Sequence, residues 1–320
     1  MQQNTTHLTS SPDLFLERYT NMKRLLWAIG IMLLGVIIAG FWNYHLVDGF
    51  GRDFIAGRTI GDTGLLAGSY AENGGGFGFV FAAIAGLAAT FTACNCVAFA
   101  MIPGLACSAD KESTNNTVIR AIIAFVTPVV LIGAAYGVFV GFLGSEGVAA
   151  INERPVRLAQ AQAVFSIIGV IMVFWGLIEL GYLKSITNRV SPVTREFFSR
   201  SSTKAFMMGS LVGLFAVGRP FPVFREFMTY AATAESPTYG AAVMVIHGLG
   251  QITILLVLFF ILVYFFGKRM VNWAQTQPYQ PRLVTALALL GGGAYFVFYW
   301  GIAFLYDVGR WGFKLGWYGG

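Results

Sequence analysis

Residues 86–103 read GLAATFTACNCVAFAMIP, an apolar run that carries Cys94 and Cys96 one residue apart and closes on Pro103. On each side of Cys94-Asn95-Cys96 roughly ten residues pass without a charge, and about 20 apolar residues suffice to cross a bilayer, so the stretch reads as a membrane-embedded element. A proline inside a spanning helix removes a backbone hydrogen bond. Breaks of that kind are tolerated at membrane depth only against protein or a polar cavity. Cysteines beside such a break mark a candidate site; the plainer reading is a helix that ends before the polar run 108–117.

The rest of the chain agrees with a membrane setting. Of 320 residues, 56% are hydrophobic and only 11% charged, and the mean hydropathy is +0.67; these values fit membrane proteins rather than soluble domains. Seven apolar blocks, at about 25–47, 77–106, 119–143, 161–183, 205–233, 240–266 and 284–306, are each long enough for a helix to cross and too long for transmembrane strands. The first follows a polar segment and lacks a small-residue cleavage site, which reads as a retained helix rather than a signal peptide. The expected class is therefore an all-α integral membrane protein with seven transmembrane helices.

The net charge of +6 would point to nucleic acid in a soluble protein, but here the basic residues follow topology. With the N-terminus inside, thirteen lysines and arginines fall in inner segments and six in outer ones, which leaves Arg219 and Arg225 within a membrane block. This bias predicts a cytoplasmic (inner) membrane protein with its N-terminus inside and its C-terminus outside. No nucleic-acid partner is expected. The expected parts are a cytoplasmic tail (1–23), a first helix with an irregular, glycine-rich outer loop (24–76), a six-helix domain (77–306) and an interfacial tail (307–320) anchored by Trp311, Trp317 and Tyr318.

A second break lies at Val217-Gly218-Arg219-Pro220-Phe221-Pro222, because two prolines and a glycine cannot continue a regular helix. It falls three blocks after the first break, in the corresponding position. Blocks two to four and five to seven thus read as two three-helix repeats, inverted because each holds an odd number of spans. Such folds place their site between the breaks.

Three further residues are candidates. Glu179 is a carboxylate within an apolar span, and it is either functional or an interfacial partner of Lys184. Arg219 suits an anion, a carboxylate or a partner's charge; its structural role would be pairing with Glu226 or Glu179. His247 lies in VMVIHGLGQITILL, where its titration range suits proton transfer and its commoner role is packing. Three cysteines, Cys94, Cys96 and Cys107, are too few for a disulfide framework.

GLAATFTACNCVAFAMIPG (86–104), VFWGLIELGYL (173–183) and GLFAVGRPFPVFREFMTYAATAESPTYGAAVMVIHGLGQI (213–252) resemble, in order and spacing, the first, third, and fourth to fifth helices of the CcdA family. These are transmembrane electron carriers related to the membrane domain of DsbD. The resemblance implies one cysteine in each repeat. Such a pair accepts electrons from cytoplasmic thioredoxin and passes them to an outer thiol protein that serves cytochrome c maturation or disulfide reduction. The first cysteine corresponds to Cys96 or Cys94. At the second break stand Arg219, Pro220, Phe221 and Pro222, and no cysteine follows Cys107. A disulfide between the two repeats therefore cannot form.

Three functional classes stay open. A thiol-redox carrier would use Cys94 and Cys96 or Cys107 against a thioredoxin-like protein or cytochrome-maturation factor. A soft-metal carrier would hold Cu(I) through Cys94 and Cys96 with Met101, Met207, Met208 or His247. A structural or accessory subunit of a larger membrane complex would use the cysteines as small hydrophobes. In each case the bilayer is the common partner, and no cofactor is called for.

Overall fold

The computed structural model describes residues 21–92, 95, 99, 114–183, 189, 191–277 and 279–318. Cys94, Cys96, Met101, Pro103 and Cys107 lie outside them. The described residues form helices and turns without a strand. The principal helices are α1 (Asn21–Gly40), α2 (Tyr44–Gly49), α3 (Tyr70–Ala89), α4 (Thr114–Asn152), α5 (Arg154–Glu179), α6 (Pro192–Ser199), α7 (Ser201–Val217), α8 (Pro222–Ala232), α9 (Pro237–Thr276), α10 (Tyr279–Phe296) and α11 (Trp311–Lys314).

Five helices are long and apolar enough to span a membrane, within α1, α4, α5, α9 and the run from α10 to Ala303. Helices α7 and α8 meet the same test only as a pair bent by 76°. That bend coincides with the Gly-Arg-Pro-Phe-Pro break. The chain is an integral, multi-pass membrane protein. Its apolar surface is arranged accordingly: Leu26, Leu33, Ile167, Val170, Phe142 and Phe265 point outward, as lipid rather than water surrounds these helices.

Small residues set the helix contacts. Burial of apolar side chains gives little drive between helices already in lipid, so association rests on close packing. Helix α4 crosses α9 with Gly137 and Gly240 at the point of contact, where a Cβ on either glycine would collide with the other's carbonyl. Gly169 and Gly293 meet in the same way where α5 crosses α10, and Gly86 lies against the His247 carbonyl where α3 crosses α9. Helix α7 runs along α4 with Gly209 against the Phe125 carbonyl and Pro128. Helix α1 packs on α10 through Gly35 and Gly291.

The segment 48–76 differs from the irregular loop expected of its glycine content. It winds through a wide π-helical turn (Phe50–Ala56) and short helical turns at Gly57–Thr59 and Thr63–Leu66, and enters α3 before its glycine run. Tertiary contacts outweigh composition here. Gly51 sits on the Ala88 carbonyl, and the Asp62 carboxylate accepts the Gly64 amide at 2.8 Å. Where Gly74 interrupts α3 with φ +69°, the hydroxyls of Tyr230 and Tyr239 donate to the Gly74 and Gly75 carbonyls at 2.7 and 2.8 Å.

Candidate functional site

The break expected at Pro103 lies outside the described residues, and the end of α3 before it meets the second break. Helix α3 ends at Ala89 in a tight turn, with the Thr92 amide donating to the Ala89 carbonyl at 3.2 Å. The same carbonyl accepts the Thr92 hydroxyl at 2.8 Å, Asn95 Nδ2 at 2.9 Å and Arg219 Nη1 at 3.3 Å. Arg219 reaches it from the second break, where Pro220 and Pro222 stop α7 from continuing and turn the chain into α8. Helix α9 supplies the third side through Gln251. Its Nε2 donates to Asn95 Oδ1 at 3.1 Å and to the Val212 carbonyl at 3.4 Å, while its own carbonyl accepts the Thr90 hydroxyl at 2.9 Å. Thr90, Thr92, Asn95, Arg219 and Gln251 are all buried. Backbone groups freed by a helix break need such partners, since an unsatisfied one inside the bundle costs about 1–3 kcal/mol.

Beside this junction lies a cavity of about 380 Å³, lined by Thr92 from the turn after α3 and by Arg219, Pro220, Phe221 and Pro222 from the second break. Its walls carry the aromatic side chains of Phe165, Tyr295, Tyr299 and Trp300. Asp48, at the end of α2, is the lining carboxylate among the described residues. Burial raises its pKa to about 6, against the opposing pull of Arg219, Arg52 and His45.

The other expected site residues fall elsewhere. His247 is fully buried, one helical turn before Gln251, with its ring against Phe224 and Phe227 at centroid distances of 4.9 and 5.5 Å. It packs α9 on α8 and does not line the cavity. Glu179 sits at the far end of α5, about 33 Å along the helix from Arg157 at 1.5 Å per residue. Its carboxylate pairs with Lys204 at 2.6 Å and Arg282 at 3.4 Å and accepts the Trp175 indole at 3.3 Å. Of the partners expected for it, Lys184 lies outside the described residues, and Arg219 is at the other end of the bundle. Glu226, the other carboxylate expected near Arg219, accepts the Thr63 hydroxyl at 2.5 Å. Among the described residues no three His, Cys, Asp or Glu side chains come together as metal ligands.

Asn95, Gln251, Thr90 and Thr92 were not among the sequence candidates. A signal for two of them exists in retrospect, because an amide side chain within an apolar span must find a partner. Gln251 stands in such a span, and Asn95 lies between the two cysteines.

The sequence matches the cytochrome c biogenesis protein transmembrane domain over residues 77–276, and the chain belongs to that family. No curated protein and no solved structure matches it.

Proposed function

We propose that this protein carries thiol reducing equivalents across the cytoplasmic membrane, with its exchange site at the junction of the two breaks. The observation behind the reading is the Ala89 carbonyl, which ties Arg219 of the second break to the turn that leads into Cys94-Asn95-Cys96. The arrangement has seven spans, N-terminus inside and C-terminus outside, with α3 to α5 and α7 to α10 as inverted halves. The helix contacts support this. Exchanging α3 with the α7–α8 pair, α4 with α9, and α5 with α10 turns the α3–α9 contact into the α7–α4 contact and leaves the α4–α9 and α5–α10 contacts unchanged, as a two-fold relation requires.

The redox pair is drawn from Cys94, Cys96 and Cys107, all in the first half, in place of one cysteine per half. A thiolate of a reduced inner partner attacks the disulfide of this pair, and the mixed disulfide is resolved by the partner's second thiol. Two electrons and two protons have then moved to the carrier, and the same exchange in reverse reduces an outer partner's disulfide. Arg219 brings a positive charge beside the stretch that holds the thiols, which favours the thiolate.

Thiol trapping in intact cells tests this. In the wild type a fraction of Cys94 or Cys96 is oxidised, the fraction rises when thioredoxin is depleted, and Cys94→Ser or Cys96→Ser abolishes reduction of the outer partner. A Cys94→Ser, Cys96→Ser protein that assembles and supports normal cytochrome and thiol metabolism overturns the proposal in favour of an accessory subunit. Loss of Cu(I) binding in either single variant, with no change in trapped thiols on thioredoxin depletion, overturns it in favour of a soft-metal carrier.

A further inference from the structure

Six arginines line the cavity beside the junction: Arg52, Arg154, Arg157, Arg219, Arg225 and Arg310. Two are held by neighbouring aspartates, Arg52 by Asp53 at 2.7 Å and Arg310 by Asp307 at 2.9 Å. Arg154, Arg157 and Arg225 have no ion pair among the described residues. The Nε atoms of Arg157 and Arg225 are shielded from solvent and make no hydrogen bond. Besides burial, the charge of Arg157 acts on Arg225 against the opposite pull of Glu226, and that of Arg154 acts on Arg157. Asp48 is the carboxylate among the described lining residues and offsets part of this charge, and the excess of guanidinium groups that remains favours an anion in the pocket.

The backbone adds to the same field. The first turns of two helices, α5 at Arg154 and Arg157 and α8 at Pro222 and Arg225, border the cavity, and neither helix has a side-chain cap at its N-terminus. Helix N-termini carry partial positive charge and free amides. The rings of Phe165, Tyr295, Tyr299, Trp300 and Phe304 also line the cavity. A cavity of about 380 Å³ lies within the range of small-molecule sites.

We propose that this cavity binds a phosphate-type oxyanion carried on an apolar body. Guanidinium forks match phosphate oxygens in pairs, and three acceptor oxygens can serve several arginines at once. The aromatic wall takes the apolar remainder. The phosphate comes either from a soluble phosphate compound or from the headgroup of an anionic lipid. Arg219 is the lining arginine shared with the thiol reading, and the variants in the test below leave it in place.

The test uses the full chain in phosphatidylcholine nanodiscs, with thermal unfolding read at constant ionic strength. One arm adds pyrophosphate against chloride. The other replaces part of the lipid with phosphatidylglycerol. A saturable rise in unfolding temperature in the first arm assigns a soluble ligand, and a rise in the second alone assigns a lipid. In the Arg157→Gln, Arg225→Gln protein the rise disappears, and without anion this protein unfolds at the wild-type temperature or above it, because repulsion is relieved. If that variant shows no cooperative transition, Arg154→Gln, at an exposed position, serves instead, with apparent affinity roughly tenfold weaker. No rise in either arm, or a rise undiminished in the variants, overturns the proposal.

Discussion

The carboxylate of Glu179 is buried, and its ion-pair partner Lys204 stands on another helix rather than next door in sequence. Removing one partner of a buried pair leaves the other uncompensated, at about 3–5 kcal/mol, whereas replacing both with apolar groups is often neutral. Lys204→Met is expected to lose about 3 kcal/mol, seen as a lower midpoint in thermal or denaturant unfolding. Glu179→Leu combined with Lys204→Met is expected to regain most of it, because Arg282 is 40% exposed and keeps its solvation. Asp48 gives a pH signature of its own. Its pKa is raised from 3.8 to about 6, so the folded state holds its proton more tightly than the unfolded one. The associated stability is complete below pH 4 and is lost as the pH rises through 6. Unfolding midpoints of the wild type are expected to fall over that window relative to Asp48→Asn; parallel curves would refute it. That Glu179 was important could be read from a carboxylate in an apolar run. Its partners could not, since Lys204 and Arg282 arrive on other helices and only packing brings them together.

At the scale of elements, prolines and glycines carry much of the information. Pro220 and Pro222 announce the bend between α7 and α8, because their rings forbid a continuous helix whatever the surroundings. The Asn73–Gly76 run was misleading for the same residues' other property, conformational freedom, which the Tyr230 and Tyr239 hydroxyls restrain by binding the carbonyls beside the kink. The arginine cavity was not legible either. Arg154 and Arg157 look like ordinary loop charges, and Arg225 looks like the neighbour of Glu226, until three elements fold them round one space. Glycine packing gives the prediction at this scale. Gly137→Ala places a methyl on the Gly240 carbonyl and must part α4 from α9, at about 1–3 kcal/mol. Gly30→Ala, where nothing lies within 4 Å, is expected to change the unfolding midpoint little. Equal effects from the two would remove close packing as the explanation.

For the whole molecule, the low charge content and the lengths of the apolar blocks made a membrane bundle legible without any structure, because transfer of apolar surface is decided by residue type. The proposed orientation follows from the asymmetry of lysines and arginines. Ser145 lies at an exposed position near the end of α4, and Val193 is 78% exposed in α6. Cysteines introduced there are expected to react with an impermeant maleimide from outside at Ser145 and only after permeabilisation at Val193; the reverse order would invert the topology. The clasp on α1 bears on how the bundle is built. Helix α1 packs on α10, and the Tyr318 hydroxyl donates to the Phe41 carbonyl, 277 positions away in sequence, while Trp317 stacks on Phe41 at 5.0 Å. At the usual 5–20 residues per second of synthesis, α1 waits on the order of tens of seconds in the bilayer for the elements that cover it. During that interval its lipid-facing flank is an open berth, and the cavity wall formed by Tyr295, Tyr299 and Trp300 does not yet exist. A ligand of the cavity can therefore be captured only late, by a chain that is nearly complete.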